Sequence, residues 1–338
     1  MSTPWGEVRR VSTTLQTSDR LSAWKARWGI GRMRYRVEPG LVAVGRPTAE
    51  SPVLVSANYK MSFDRLRSQL DGQDAWILVL ETYGVNVWCA AGKGTFGTDE
   101  IVRRVEAAQL QRVVSHRTLI VPQLGASGVA AHEVKQRSGF RVAYGPVRAE
   151  DLPAFLDAGM QATAEMRRVR FPLGDRTALI PMELVGAAKY VLLAAAAMFL
   201  LAGLGAGGYS AARLPGVGVW SAVLLLAAAV GSIVLTPVLL PWLPGRALSV
   251  KGTWLGLAFL PFVAGAAWFR PEAFSGWPTV AAWCLLVPAV ASFLAMNFTG
   301  ATTYTSLSGV RREMALAVPI QAVCAVAGVV LWLVGRFV

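Results

Sequence analysis

Pro52-Val53-Leu54-Val55-Ser56-Ala57-Asn58-Tyr59-Lys60 opens on an aliphatic run and closes on polar residues. Successive strand residues point to opposite faces, so Val53, Leu54 and Val55 need apolar cover on both sides of a sheet, as parallel strands under helices have. Trp76-Ile77-Leu78-Val79-Leu80 and Leu119-Ile120-Val121 read in the same way, and Phe140-Arg141-Val142 is a fourth, less apolar strand. Helix-like stretches at 62–70, 99–110, 128–138 and 150–158 alternate with them. Thr98 followed by Asp99 and Glu100 suits a helix start, because hydroxyl and carboxylates meet unpaired amides at the positive end of the dipole. The alternation predicts an α/β fold over residues 46–178, with an open Rossmann-like parallel sheet. Such sheets bind ligands in the loops after the carboxyl ends of their strands. Those loops are 56–60, 82–98, 122–127 and 143–149.

Outward from this core the composition divides. The chain has 338 residues, 54% apolar and 16% charged, with 33 Lys+Arg against 20 Asp+Glu. Up to Glu183 there are 25 basic and 18 acidic side chains; beyond it there are 8 and 2. A wholly soluble enzyme, a disordered chain and a disulfide scaffold are thereby excluded. Residues 190–212, 214–245, 252–269, 273–310 and 314–335 carry no charge, and each holds one span of about 20 residues. Residues 184–338 are therefore expected to form an all-α membrane domain of five transmembrane helices, near 188–208, 216–240, 252–270, 277–297 and 314–335. Trp220, Trp242, Trp254, Trp268, Trp277 and Tyr304 fall mainly near the span ends, where amphipathic rings settle. No ionisable side chain stands in mid-span, which favours an anchor or platform over an ion-coupled transporter.

The opening MSTPWGEVRR lacks the apolar core of a signal peptide. The first domain is accordingly expected in the cytoplasm, beneath the inner membrane, with Val338 outside after five crossings. Lys189, Arg246, Lys251, Arg311 and Arg312 then face inward, and Arg213, Arg270 and Arg336 outward. Residues 1–45 read as a basic, irregular segment with Trp5, Trp24, Trp28 and Tyr35 among arginines. Without a nucleic-acid motif, it suits anionic membrane lipid rather than nucleic acid. The hydroxyl-rich stretch 297–306 is either an ordinary loop or a polar surface facing the soluble domain or a substrate ion.

Several chemistries fail on spacing. Gly92-Lys93-Gly94-Thr95-Phe96-Gly97 has the form GxGxxG, but the preceding strand ends about ten residues too early for a dinucleotide fingerprint, and no acid follows near 117. Val87 and Gly94 stand where a P-loop needs Gly and Ser/Thr. There is no Ser/His/Asp triad, zinc spacing or paired-carboxylate motif, and three cysteines without CxxC cannot hold an iron–sulfur cluster. Cys284 and Cys324 lie inside predicted spans and act there as small apolar residues. A lone cysteine is more often structural than chemical. Cys89, however, follows the second strand among Trp88, Ala90, Ala91 and Gly92, with Lys93 close by, which favours a ligand-accessible thiolate.

Asn86-Val87-Trp88-Cys89-Ala90-Ala91-Gly92-Lys93 closely resembles the signature of the mercury-methylating corrinoid proteins (HgcA), whose corrinoid domain is related to the large subunit of corrinoid iron–sulfur proteins. The likeness continues through 52–60, 92–98, Pro122-Gln123-Leu124-Gly125 and Tyr144-Gly145-Pro146-Val147-Arg148-Ala149, and it covers most of residues 40–160. The resemblance implies cobalamin or a related corrinoid, bound base-off with its nucleotide tail among the strand-end loops. It implies a short helix over 86–93 beneath the ring, with Cys89 Sγ as lower axial cobalt ligand and catalytic residue. Ser56, Asn58, Asn86, Val87, Trp88, Ala90, Gly92, Lys93, Thr98, Gln123, Leu124, Gly125, Gly145, Pro146 and Ala149 would bind the cofactor. Ser56 departs from the family, where Thr is expected, but keeps the hydroxyl. The activity implied is methyl transfer from cobalt to Hg(II). The implied partners are a two-cluster 4Fe–4S ferredoxin as reductant and a folate-linked methyl donor or its methyltransferase. Two alternatives remain open: a membrane-bound corrinoid methyl carrier of one-carbon or acetyl-CoA pathway metabolism, and a non-catalytic membrane protein with a ligand-sensing domain.

Overall fold

The computed structural model describes residues 2–3, 6–274, 276–298 and 307–338. It contains two compact units, Met1–Arg170 and Phe171–Val338.

The first unit runs β1 (Arg9–Val11), α1 (Thr17–Arg27), β2 (Gly40–Val44), β3 (Val53–Ala57), α2 (Lys60–Arg67), β4 (Ala75–Leu80), α3 (Val87–Gly92), α4 (Thr98–Ala107), β5 (Thr118–Val121), α5 (Ala131–Ser138), β6 (Arg141–Tyr144) and α6 (Leu152–Asp157). The sheet order is β1-β2-β4-β3-β5-β6. The four strands read from the sequence are mutually parallel, with Val53 opposite both Trp76 and Leu119. The sheet is nevertheless mixed, because β2 joins β4 antiparallel and β1 lies parallel to β2. Residues 1–45 are therefore not an irregular segment outside the domain. They supply a helix and both of these strands, and the single apolar run Leu41-Val42-Ala43-Val44 is too short to announce an edge pair.

Strand alternation sorts the core into two layers. Val53, Val55, Leu78, Leu119 and Val121 pack with Ile101, Val105 and Val134, which brings α4 and α5 to one face. Leu54, Ile77, Val79 and Ile120 pack with Phe63, Leu152 and Phe155, which brings α2 and α6 to the other. Each fully buried aliphatic or aromatic side chain contributes about 2 kcal/mol. The chain thus leaves adjacent strands β3 and β5 toward opposite faces, which opens a crevice at their carboxyl ends.

Ions fasten α1 to α2. Asp19 takes Lys60 Nζ at 2.6 Å and Arg67 Nη2 at 2.8 Å, while Asp64 takes the same two cations at 2.5 and 2.7 Å. Burial opposes the Asp19 charge, but Lys60, the Gln16 amide and Arg67 outweigh it and hold the carboxyl at about 2.

In the second unit α7 (Ile180–Leu201), α8 (Val219–Leu239), α9 (Leu248–Phe269), α10 (Gly276–Met296) and α11 (Leu307–Val334) are each long and apolar enough to cross a membrane. Added Cβ atoms on Gly252 and Gly256 would lie 2.5 Å from Ala291 O and 2.4 Å from Pro288 Cα, so these glycines let α9 and α10 touch backbone to backbone. α7, α9 and α11 start earlier than the charge-free windows suggested, while α8 and α10 start later. α7 ends at Leu201 rather than 208, where Gly203, Gly205, Gly207 and Gly208 weaken the helix. α9 and α11 take in Lys251 and Glu313 because these charges satisfy helix ends. Lys251 Nζ donates to Leu240 O at 2.9 Å and to Leu243 O, and Glu313 accepts the Ser249 amide at 2.6 Å. The polar stretch 299–306 lies outside the described residues.

Asp19→Asn is expected to lower the stability of the first unit by about 2 kcal/mol, the scale of a hydrogen bond to a charged group. A carboxyl lowered on folding stabilises above its unfolded value of 3.8 and ceases to do so as pH falls toward about 2. Denaturation followed by tryptophan fluorescence should therefore show a constant gap between wild type and variant above pH 3.8, closing toward about 2.

Candidate ligand-binding site

A cavity of about 340 Å³ lies at the carboxyl ends of β3 and β5, in the crevice where the chain changes face. Its walls come from β3 (Leu54, Val55, Ser56), the start of α3 (Asn86, Val87, Trp88), the loop after β5 (Pro122, Leu124), and the loop from β6 into α6 (145–149). Volume and mainly apolar walls suit a small-molecule site.

Asn58 builds the platform beside it. Its fully buried side chain donates to Glu81 Oε1 at 2.6 Å and accepts from the Thr82 amide at 3.1 Å, the Thr82 hydroxyl at 2.8 Å and the Gly84 amide at 3.0 Å. Three donors thus converge on one Asn58 oxygen, where β4 turns through Tyr83 (φ +55°) and Gly84 (φ +73°). A side chain in the left-handed region needs such support. Glu100 adds to it by accepting the Glu81 amide at 2.8 Å. Burial raises the Glu100 pKa, but that amide together with Arg104 and Arg103 brings it below the usual carboxylate value.

The loop delivers Asn86, whose Oδ1 caps α3 by accepting the Cys89 amide at 2.9 Å. Ala90 and Ala91 are buried and Val87 packs on the same core, so the opposite side of this short helix looks outward. Trp88 is 41% exposed and lines the cavity; Cys89, Gly92 and Lys93 are exposed and do not line it. Beneath α3, Gly125 leaves room for Phe96, whose ring an added Cβ would meet at 2.4 Å.

Of the residues singled out from the sequence, Ser56, Asn86, Val87, Trp88, Leu124, Gly145, Pro146 and Ala149 come together in the cavity wall. The others lie elsewhere, for identifiable reasons. Asn58 is spent on the loop, and Ala90 and Gly125 belong to the packing under α3. The Thr98 hydroxyl accepts the Ala130 amide at 2.9 Å, joining the starts of α4 and α5, while Gly97 flanks the helix. Gln123 Oε1 accepts from Arg167 at 2.7 Å. Sequence reading missed Ser62, Arg65, Leu66, Arg148 and Leu152, all in the wall. Arg65 pairs with Glu150, which Arg148 also approaches at 3.8 Å, so two cations share one carboxylate beside an apolar hollow. No local motif signals that convergence.

Asn58→Ala is expected to strand the Thr82 and Gly84 amides, at about 1–3 kcal/mol for each buried group left unpaired. In a Cys284→Ser, Cys324→Ser background, the Cys89 environment should loosen. The check is a changed rate of Cys89 modification by a thiol reagent, together with a lower denaturation midpoint.

Residues 30–156 match the family described as CdhD, CO dehydrogenase/acetyl-CoA synthase delta subunit. The acetyl-CoA decarbonylase/synthase complex subunit gamma of Methanopyrus kandleri is 31% identical over 128 residues, covering 37% of this chain and 27% of that protein. The subunits gamma of Archaeoglobus fulgidus and Methanocaldococcus jannaschii are 29% and 28% identical over 128 and 127 residues. Each match covers 37% of this chain, and 27% and 26% of the relative. The chain spans about a quarter of the length of these relatives, and the likeness falls on the unit that carries the cavity.

Proposed function

We propose that the chain is a membrane-anchored corrinoid methyltransferase, with Cys89 as cobalt ligand and Hg(II) as methyl acceptor. The observation that carries this reading is the double use of one short helix: α3 lends Val87 and Trp88 to the cavity wall and leaves Cys89 exposed beside them.

The residues fit a corrinoid. Its nucleotide tail combines a flat, mostly apolar base with an anionic phosphate. The cavity offers Leu54, Leu66, Ile120, Leu124 and Leu152 for the first, and Arg65 and Arg148 for the second. A hollow of about 340 Å³ holds a tail but not the macrocycle, which leaves the ring to the outer side of α3. Buried Gly145 keeps its wall thin, since a Cβ there would stand 3.1 Å from Ile120 Cγ2. When bound, the cofactor would supply the methyl group, and a strong sulfur donor to its cobalt would suit transfer to an electron-poor Hg(II). Cys89 is the chain's donor for this role. A soft sulfur suits cobalt and mercury alike, and the Asn86 cap with buried Ala90 and Ala91 holds its backbone still. Three cysteines without a CxxC spacing give this sequence no iron–sulfur ligand set, so we assign reduction to a ferredoxin-type partner and methyl supply to a folate-linked donor. The five apolar helices of the second unit serve as anchor, with the first unit on the cytoplasmic side.

A second reading, a membrane-bound methyl carrier of one-carbon or acetyl-CoA metabolism, is favoured by the names of the relatives. Cys89 separates the two, because only transfer to an electrophilic metal needs a strong donor opposite the methyl group.

The full-length Cys89→Ala protein is expected to retain bound methylcobalamin while its absorption spectrum changes. Methyl transfer to Hg(II) should fall by more than about 100-fold, since even outer-shell partners of a metal ligand are worth 10–100-fold. Cys89→Thr should behave alike; substantial methylation by either variant would refute the thiolate role. Arg148→Gln is expected to weaken cobalamin binding about tenfold, one charge-assisted hydrogen bond. It should leave binding of cobinamide, which lacks the nucleotide phosphate, unchanged in the same titration.

A further inference from the structure

The outer face of α1 is an apolar stripe edged by cations. At 3.6 residues per turn the helix has two distinct sides. Asp19, Ser22, Ala23 and Ala26 share the inner one. Asp19 holds Lys60 and Arg67, the Ser22 hydroxyl donates to Asp19 O at 3.0 Å, and fully buried Ala26 packs with Ala23 on Tyr35 and Tyr59. The side opposite Ala26 carries Leu21, Trp24 and Trp28. Leu21 is 50% and Trp24 55% exposed, and the Trp24 and Trp28 rings lie 6.1 Å apart. Ile30, in the turn that follows, is 59% exposed. Large apolar side chains gathered on a surface mark a place where something docks.

Cations border the stripe on both sides. Arg20 and Arg27 lie along one edge and Lys25 along the other, and Arg34 and Arg36 are exposed shortly after the helix. Residues 17–36 hold six cations and one acid, and that acid, Asp19, is committed inward to Lys60 and Arg67. The outward charge of this stretch is therefore all positive. A ridge of Trp and Leu between rows of Lys and Arg is the pattern with which a helix lies in a bilayer interface, its rings at headgroup level and its cations on anionic lipid. An acidic protein would answer the cations as well. The bilayer is favoured because the same chain has five helices long and apolar enough to cross one, which keeps a membrane surface at high effective concentration around the first unit.

We propose that the outer face of α1 docks on an anionic lipid surface, with Leu21 and Trp24 in the headgroup layer and Arg20, Lys25 and Arg27 on the anionic headgroups. Composition alone points to anionic lipid for residues 1–45 as a whole; the fold narrows this to one helix face, since much of that segment is spent on the sheet. The proposal rests on the second unit crossing a membrane, and on neither the corrinoid nor the mercury reading.

The test uses the full-length chain with Cys89→Ser, Cys284→Ser and Cys324→Ser and a single nitroxide at Leu21→Cys. It is placed in nanodiscs of phosphatidylcholine, or of phosphatidylcholine and phosphatidylserine at two to one. Relaxation by oxygen against relaxation by a water-soluble nickel chelate reads whether the label meets lipid or water. The label is expected to meet lipid in the serine-containing discs and mostly water in phosphatidylcholine. Arg20→Glu with Lys25→Glu, both at exposed positions, should return it to water. The docked population should fall by at least about 25-fold, at about fivefold for each cation near an anionic leaflet. A label at Gln136→Cys, exposed on α5 across the sheet from α2, should stay in water throughout. A chain that enters neither disc would overturn the anchor and the proposal with it. Once the chain is incorporated, a Leu21 label that stays in water in the anionic discs overturns the proposal alone and leaves the face to an acidic protein. Equal immersion in the two discs, immersion that survives the double substitution, or equal immersion of the Gln136 label would overturn it too.

Discussion

The site in the first unit depends on one buried amide. Asn58 ends the run that leaves β3, and its oxygen collects three donors from the turn after β4. That turn includes two residues in the left-handed region, one of them Tyr83. Left-handed backbone outside glycine persists only where its surroundings over-determine it. The Asn58 contacts, with Glu100 holding the Glu81 amide, fix the direction in which the chain enters α3. A six-residue helix cannot be stable through its own hydrogen bonds. Its position follows from the loop before it, the Asn86 cap and the alanines beneath it. The exposed thiol of Cys89 is therefore placed by Asn86 at the cavity wall and by alanines that do not line the cavity.

Legibility in the sequence followed the range of the interactions. β3, β4 and β5 were readable because each is apolar on both faces, a local property of a covered parallel strand. The edge pair β1 and β2 was not, because Arg9–Val11 pairs with a strand some thirty residues on and carries two arginines. The membrane helices were evident from missing charge, yet their ends were misjudged where Lys251 and Glu313 cap neighbouring helices. In the site, the motif 86–93 pointed to α3, but residues of one motif did not share one role. Asn86, Val87 and Trp88 reached the wall, and Ala90 went into the core. Arg65 and Arg148 belong to segments more than 80 residues apart, so although Arg148 falls in the stretch 144–149, no local pattern showed that the two meet.

The two units satisfy their polar groups by opposite means. In the first, charge is paired with charge: Asp19, Lys60, Asp64 and Arg67 close a four-membered network. In the second, most of the described charges lie near helix ends or between helices, Lys189 in α7 excepted, and the interior uses hydroxyls and carbonyls, such as Ser232 Oγ donating to Ala291 O at 2.9 Å. The contrast follows from solvent. Beside water a paired ion stays cheap to hydrate at its exposed edge, whereas mid-bilayer each polar atom needs a partner within the protein. Among the described residues, Thr236 Oγ1 and Gln321 Oε1 are buried without a partner against that rule.

The cavity at the β3 and β5 ends places a few polar atoms on an otherwise apolar wall, and those atoms set the class of ligand more narrowly than volume does. Two arginines sharing a single carboxylate favour an anion that can take over from Glu150, since each guanidinium gains more from a multivalent phosphate than from half a carboxylate. Leu54, Leu66 and Ile120 demand that the rest of the same molecule be apolar. A ligand with only one of these properties would leave either the cations or the hydrocarbon wall unsatisfied. The nucleotide tail of a corrinoid has both, and Cys89 lies on the same helix as the wall residue Trp88. The wall residue Trp88 and the thiol are thus carried on one element, so a shift of α3 would disturb both at once.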